Sequence, residues 1–207
     1  MISKKAVARK VTEGIVKQIM KILFIDTTTP DLVVAVVEDN KITDVTAKAV
    51  GVHHSEMLCQ KVSEALEKAR TTFKELDAYA CAIGPGSFTG IRIGISTVKG
   101  YRTAVELPCI GVNCLEAIAV SNRCGSRGSA VIDAGNGYYY ADYNNGVTPT
   151  LISYDDERAD VAVRAESAVD YFDGAVEIIR KHFASKSFDE NLTPLYIRRS
   201  QAEENRK

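Results

Sequence analysis

Residues 84–94 read Gly84-Pro85-Gly86-Ser87-Phe88-Thr89-Gly90-Ile91-Arg92-Ile93-Gly94. Gly84 and Gly86 admit backbone angles closed to other residues, and Pro85 stiffens the bend. Ser87 is placed to cap a following helix, which the spacing predicts from Ile91 to about Val105. Gly90 and Gly94 are four apart and share one face of that helix, with Thr97 and Tyr101 close to the same line. Lacking a Cβ, they let another backbone come close, and Ile91, Ile95 and Val98 add apolar contact beside them. Glycines before a helix N-terminus can also hold a phosphate. The standard phosphate loop needs a Lys after its second Gly, whereas Gly90 is followed by Ile91-Arg92. Close packing is therefore the preferred reading.

Working outward, Tyr79 to Ile83 is the buried strand before the loop. Upstream, Ile22-Leu23-Phe24-Ile25 is a strand ending in the polar stretch Asp26-Thr27-Thr28-Thr29. Leu32 to Val37 and Lys41 to Ala47 read as two further strands joined by an Asp39-Asn40 turn. A helix then starts near His54-Ser55-Glu56, with Ser55 as N-cap, Glu56 at the positive end of the helix dipole, and Leu58, Val62, Leu66 and Ala69 as its apolar stripe. Downstream, Cys109 to Val112 is a strand and Leu115 to Val120 a helix. The order βββ-α-β-α-β-α predicts an α/β fold of the ribonuclease-H-like kind, a mixed sheet with helices packed on it.

Residues 124–129 read as a hinge-like linker to a smaller second lobe. It holds strands at 130–133 and 138–143, a third after Asn144-Asn145-Gly146, and a helix from Ala175 to His182. The expected organisation is thus an extension over 1–19, a first lobe over 20–123 and a reduced second lobe with a tail over 124–207. The sequence shows no internal repeat.

The chain has 207 residues, with 26 Lys+Arg against 27 Asp+Glu and a net charge of −1. At 45% apolar and 26% charged it is an ordinary globular composition, and no run of apolar residues is long enough to span a membrane. A near-neutral balance argues against a general nucleic-acid coat. The basic residues Lys4, Lys5, Arg9, Lys10 and Lys17 face Glu13 alone in the first twenty positions, so the rest of the chain is net acidic. That segment is not a secretory signal, lacking a continuous apolar stretch and a small-residue cleavage site. Met20 is the expected natural start. The odd count of five cysteines, without a C-x-x-C pair, reads as small apolar residues in a reducing compartment.

Three stretches invite chemistry. His53-His54 with Glu56 suggests a metalloprotease, but the zincin pattern needs two His one helical turn apart. Asp26-Thr27 after the first strand suggests a nucleotide contact, as does Asp133 before Ala134-Gly135-Asn136-Gly137. Arg198, Arg199, Arg206 and Lys207 form a small basic tail.

The chain resembles the TsaB (YeaZ) family. The resemblance is carried by Ile25-Asp26-Thr27, His54 through Leu58, Gly84 through Gly94, Pro108 through Val112, Leu115-Glu116-Ala117, Ala130 through Ala134, Tyr139-Tyr140 and Pro194 through Arg199. It implies an ASKHA fold of two ribonuclease-H-like lobes, the second eroded. It implies a cytoplasmic, non-catalytic dimerisation subunit that pairs with the catalytic paralogue TsaD, and with the ATPase TsaE. Together these transfer a threonylcarbamoyl group to N6 of the adenosine next to the anticodon in tRNA. It further implies a homodimer when the chain is alone, tRNA contact only through the complex, and ATP or ADP at most at a subunit junction. The paralogue's N-H-x-E-x-H metal motif corresponds here to Asn113-Cys114-Leu115-Glu116-Ala117-Ile118, which lacks both imidazoles. No catalytic or metal residue is therefore expected.

The expected partner surface is the stripe of Leu58, Val62 and Leu66 beside Phe88, Gly90, Ile91, Gly94, Ile95 and Val98. The alternatives are an ASKHA-type small-molecule kinase or ATPase using Asp26, and a peptidase.

Overall fold

A computed structural model describes residues 20–50, 53–121, 128–135 and 137–197. The extension over 1–19, most of the linker, Asn136 and the four basic tail residues lie outside the described residues.

The first sheet contains β1 (Lys21–Asp26), β2 (Leu32–Glu38), β3 (Ile42–Ala47), β4 (Ala78–Gly84) and β5 (Cys109–Asn113). Its order is β3-β2-β1-β4-β5. The β1–β2 and β2–β3 pairs are antiparallel, and β4 and β5 continue parallel to β1. The second sheet contains β6 (Ser129–Asp133), β7 (Tyr138–Asp142), β8 (Val147–Ile152) and β9 (Val163–Ala165), in the order β8-β7-β6-β9. Here too an antiparallel three-strand meander is followed by a fourth strand parallel to its first. Among the described residues the two sheets therefore repeat one topology, the second without a counterpart of the fifth strand. That repeat is invisible in the sequence because different side chains build it.

Among the described residues four α-helices complete the layers: α1 (His54–Lys68), α2 (Phe88–Ala104), α3 (Cys114–Ser121) and α4 (Phe172–Ala184). In β1 and β2, alternate side chains go to opposite faces and both faces are covered, which is why the strands read as unbroken apolar runs. Leu23, Ile25, Leu32, Val34 and Val36 meet α1 and α2, while Ile22, Phe24, Val33 and Val37 share a core with α3, α4 and the inner face of the second sheet. At the α3–α4 crossing, Gly174 sits against the Ala117 carbonyl and donates its N–H to Ser121 Oγ at 2.8 Å.

Helix α1 starts two residues earlier than a Ser55 cap would place it. Its N-cap is His53, not Ser55, and no side chain caps it. His53 Nδ1 lies 3.1 Å from Glu56 Oε2, so that carboxylate occupies the first turn as anticipated. Beyond α4 the chain returns to the first sheet. Asp189 bridges to Cys109, Leu192 is buried in the α1–α2 core, and the Leu195 N–H donates to the Ile83 carbonyl at 2.8 Å. Residues 189–195 thus run along the sheet of the first lobe rather than staying with the second.

Candidate functional site

The glycine loop and the end of β1 form one structure. The Gly84–Pro85 peptide is cis, with Gly84 at φ 103°. Ser87 Oγ accepts the Gly90 N–H at 3.1 Å, the anticipated N-cap of α2. Replacing Ser87 by Ala should lower stability by about 1 kcal/mol in a denaturant titration.

The backbone brought close by the glycines belongs to the chain itself. A Cβ at Gly90 would fall on the Thr27 carbonyl oxygen. One at Gly86 would lie 2.5 Å from the Thr28 carbonyl oxygen, and one at Gly94 2.7 Å from Thr27 Oγ1. Thr27 Oγ1 donates to the Gly90 carbonyl at 2.7 Å, and the Ser87 N–H donates to the Thr28 carbonyl at 2.7 Å.

This corrects the expected partner surface. Leu58, Val62, Ile91, Ile95 and Val98 are all less than 5% exposed, Leu66 is 6% exposed, and Gly90 and Gly94 are buried. All of them face the first sheet and form its α-helical core layer. A partner could reach them only by unpacking that layer. Phe88 is half-buried under its own chain: the Arg92 guanidinium lies 4.1 Å above its ring, the Tyr196 ring is 4.9 Å away, and Arg92 Nε donates to Tyr196 Oη at 3.1 Å. Arg92 and Thr89 are exposed.

The surface that remains open on α2 is Ser96, Lys99, Gly100, Thr103 and Ala104, next to Cys59, Gln60 and Ser63 of α1. Tyr101 bridges the two helices, its hydroxyl 3.9 Å from Cys59 Sγ and its ring 4.7 Å from that of Phe73. Ser96, Gly100 and Ala104 recur at intervals of four, so they line one stripe. Among the described residues nothing lies within 4 Å of where a Cβ at Gly100 would be. Glycine inside a helix costs about 0.5–1 kcal/mol relative to alanine, and no contact among the described residues accounts for it here.

Asp26 and Thr27, expected to face a nucleotide, are sealed at 0% and 1% exposure. Asp26 Oδ1 accepts the Thr28 N–H at 2.8 Å and the Thr28 hydroxyl at 2.7 Å. Its Oδ2 accepts the Tyr171 hydroxyl at 2.8 Å, and Tyr171 Oη is 3.0 Å from Thr28 Oγ1. Burial pushes the Asp26 carboxyl above its ordinary range, against the pull of these bonds and of His54. Below the cluster Cys114 Sγ is 3.5 Å from Thr28 Oγ1, and burial pushes its thiol up to about 12. Tyr171, Thr28 and Cys114 escape a sequence reading because Tyr171 lies 145 positions from Asp26 and no local pattern marks it.

Asp133 is exposed and occupied within its own hairpin, its Oδ1 accepting the Gly135 N–H at 2.6 Å and the Tyr154 hydroxyl at 3.0 Å. His54 is buried with Nε2 3.2 Å from the Asp31 carbonyl oxygen, so the two imidazoles at the start of α1 serve different local contacts. In the stretch compared with the paralogue's metal motif, Asn113 Oδ1 accepts the Leu115 N–H at 3.0 Å as a cap of α3. Cys114 and Ile118 point into the core.

The profile of the family described as TsaD: tRNA N6-adenosine threonylcarbamoyltransferase matches residues 40–178, well over half of the chain. The chain belongs to the TsaB (YeaZ) family within this TsaD group. The TsaB relative is the tRNA threonylcarbamoyladenosine biosynthesis protein TsaB of Escherichia coli strain K12, 35% identical over 135 residues, covering 62% of this chain and 58% of that protein. An uncharacterized protein of Mycobacterium tuberculosis is 38% identical over 104 residues, 49% of each chain. The chain thus spans about half the length of these curated relatives. Among solved structures, YeaZ from Pseudomonas aeruginosa superposes with a TM-score of 0.68 at 20% identity, covering 86% of this chain and 99% of that one. At that identity the likeness speaks for the fold, and it shows the two-lobed TsaB architecture of mixed sheets and packed helices. No helix among the described residues is long and apolar enough to cross a membrane.

Proposed function

We propose that this chain is a non-catalytic subunit for making threonylcarbamoyladenosine in tRNA, and that it pairs with TsaD through the outer face of α1 and α2. The E. coli relative is named for that biosynthesis. The observation that carries the docking is the exposed Ser96–Gly100–Ala104 stripe, with space above Gly100 for a second helix. A helix seated there can approach closely along the i, i+4 ridge. TsaE joins the pair, and tRNA is met through the complex. In isolation the same stripe joins two copies of the chain.

A catalytic role is disfavoured by the stretch from Asn113 to Ile118, where a capping amide, a buried thiol and a buried aliphatic stand in for a metal-binding set. The kinase or ATPase reading loses its residue, since Asp26 offers no atom to solvent.

The test is size-exclusion chromatography with light scattering, on the chain alone and mixed with TsaD from the same source. Gly100→Arg should leave the melting temperature unchanged and abolish both homodimer and heterodimer. If Gly100→Arg pairs normally, the proposed face is wrong. If the unaltered chain ignores TsaD, the proposed role is wrong.

A further inference from the structure

Helix α2 carries Arg92 one turn after Phe88, and the two side chains stack. The Arg92 guanidinium lies 4.1 Å above the Phe88 ring, and its Nε donates to Tyr196 Oη at 3.1 Å. The Tyr196 ring is 4.9 Å from that of Phe88 and stays 40% exposed. This surface arginine is thus held in one place by a ring beneath it and a hydroxyl beside it. Among the described residues its two terminal nitrogens meet no acceptor and no carboxylate. Arg158 is the contrast, its guanidinium bound to both carboxylate oxygens of Asp156. The Arg92 side chain is folded back over the first turn of α2, away from Gly100. Past Tyr196 and Ile197 the sequence continues as Arg198-Arg199.

We propose that the corner made by Phe88, Arg92 and Tyr196 is a contact for RNA, in which Arg92 holds one backbone phosphate and the exposed part of the Tyr196 ring stacks on a neighbouring base. The choice of RNA rests on the reading that this chain serves a tRNA modification. A guanidinium presents paired N–H donors that match two phosphate oxygens, and fixing it beforehand lowers the cost of binding. An aromatic ring beside an arginine is a platform for unpaired bases of any sequence. Arg198 and Arg199 add positive charge directly along the chain. A carboxylate on a protein partner would satisfy the guanidinium, but would give no role to the exposed ring or to the arginines that follow it. With a net charge of −1 the chain has no general attraction for RNA, so the contact is local and weak in isolation.

The test is titration of a fluorescently labelled tRNA anticodon arm, followed by anisotropy at several salt concentrations, with the full chain alone and mixed with TsaD. Arg92→Ala should weaken binding about tenfold and lower the slope of log affinity against log salt by about 0.7, the share of one single-strand phosphate. Arg92→Lys should keep the slope and lose part of the affinity, since it retains the charge without the paired donors. Tyr196→Ala should weaken binding about tenfold with the slope kept, as loss of a stacked base does. Both side chains are exposed, so melting temperatures should stay close to that of the unaltered chain. Unchanged affinity and slope in Arg92→Ala would overturn the proposal, as would no binding by the unaltered chain in either form. If Arg92→Ala breaks pairing with TsaD in light scattering and leaves the salt slope alone, the guanidinium serves a partner's carboxylate and the RNA contact is wrong. Arg92-dependent RNA binding by a chain that ignores TsaD would uphold this contact and remove the proposed pairing.

Discussion

Gly90→Ala should lower stability by about 3 kcal/mol or more, at the upper end of what overpacking costs. The added methyl would coincide with the Thr27 carbonyl oxygen and press Ser87 Cβ at 3.2 Å. Neither side can retreat. Thr27 closes the β1 end under a hydrogen bond to Gly90 itself, and Gly86 and Gly94 are seated against the same segment. Gly100→Ala on the same helix should do the reverse, raising stability by about 0.5–1 kcal/mol because the site is helical and open. Urea unfolding of the two variants side by side separates a glycine needed inside the chain from one that nothing inside explains. Ile95→Arg belongs with Gly90→Ala. At 4% exposure an arginine there would place an unpaired charge in the core layer, so a failure to dimerise would reflect unfolding.

Asp26→Ala is the second large effect. It strands the Thr28 N–H and leaves the buried hydroxyls of Thr28 and Tyr171 only each other as close oxygen partners, and unsatisfied buried groups cost about 1–3 kcal/mol each. Asp26→Asn keeps the shape, since its carbonyl can accept from Thr28 and its amide can donate to Tyr171 Oη. The two should differ clearly in melting temperature. The Asn variant also isolates the charge. Because burial raises the carboxyl's folded-state pKa above its unfolded value, the folded state binds the proton more tightly. The stability from that proton is complete below the unfolded pKa and is lost as pH rises through the raised value. The wild type should therefore lose stability relative to Asp26→Asn across this window as pH increases. The cluster's other ionisable members, Cys114 and Tyr171, have pKa values raised by burial and stay neutral there. A gap that widens instead would mean that the bonds from Thr28 and Tyr171 outweigh burial.

Much of the fold was readable because the signals were local. The apolar runs at 22–25 and 32–37, the cap at Ser87 and the small residues at Gly90 and Gly94 each sit where one element decides the outcome. The close approach at the glycines was legible, but the approaching backbone was not. Hydrophobic periodicity reports that Leu58, Ile91 and Val98 are covered, and says nothing about whether a partner or the chain's own sheet covers them. The open stripe of α2 is silent in the sequence because Ser96, Gly100 and Ala104 carry no apolar signal. The fastening of Tyr171 to Asp26 and the return of Leu192 and Leu195 to the first lobe are long-range pairings that no window of sequence contains. The cap expected at Ser55 lies two positions earlier, at His53, where His53 and Glu56 organise the helix start between them.

The segment after α4 has one further consequence. A sheet edge with free N–H and C=O groups is a template for adding foreign strands. In the first sheet β5 lies at such an edge, and Asp189 occupies it, bridging Cys109 and accepting the Gly111 N–H through its carboxylate. Arg102 secures the next residue by donating to the Glu190 carbonyl, and Leu192 anchors the run in the core. These residues act as a selvedge for the sheet. A chain ending at Phe188 would retain every helix and strand and still be expected to grow into insoluble aggregates from the exposed border of β5.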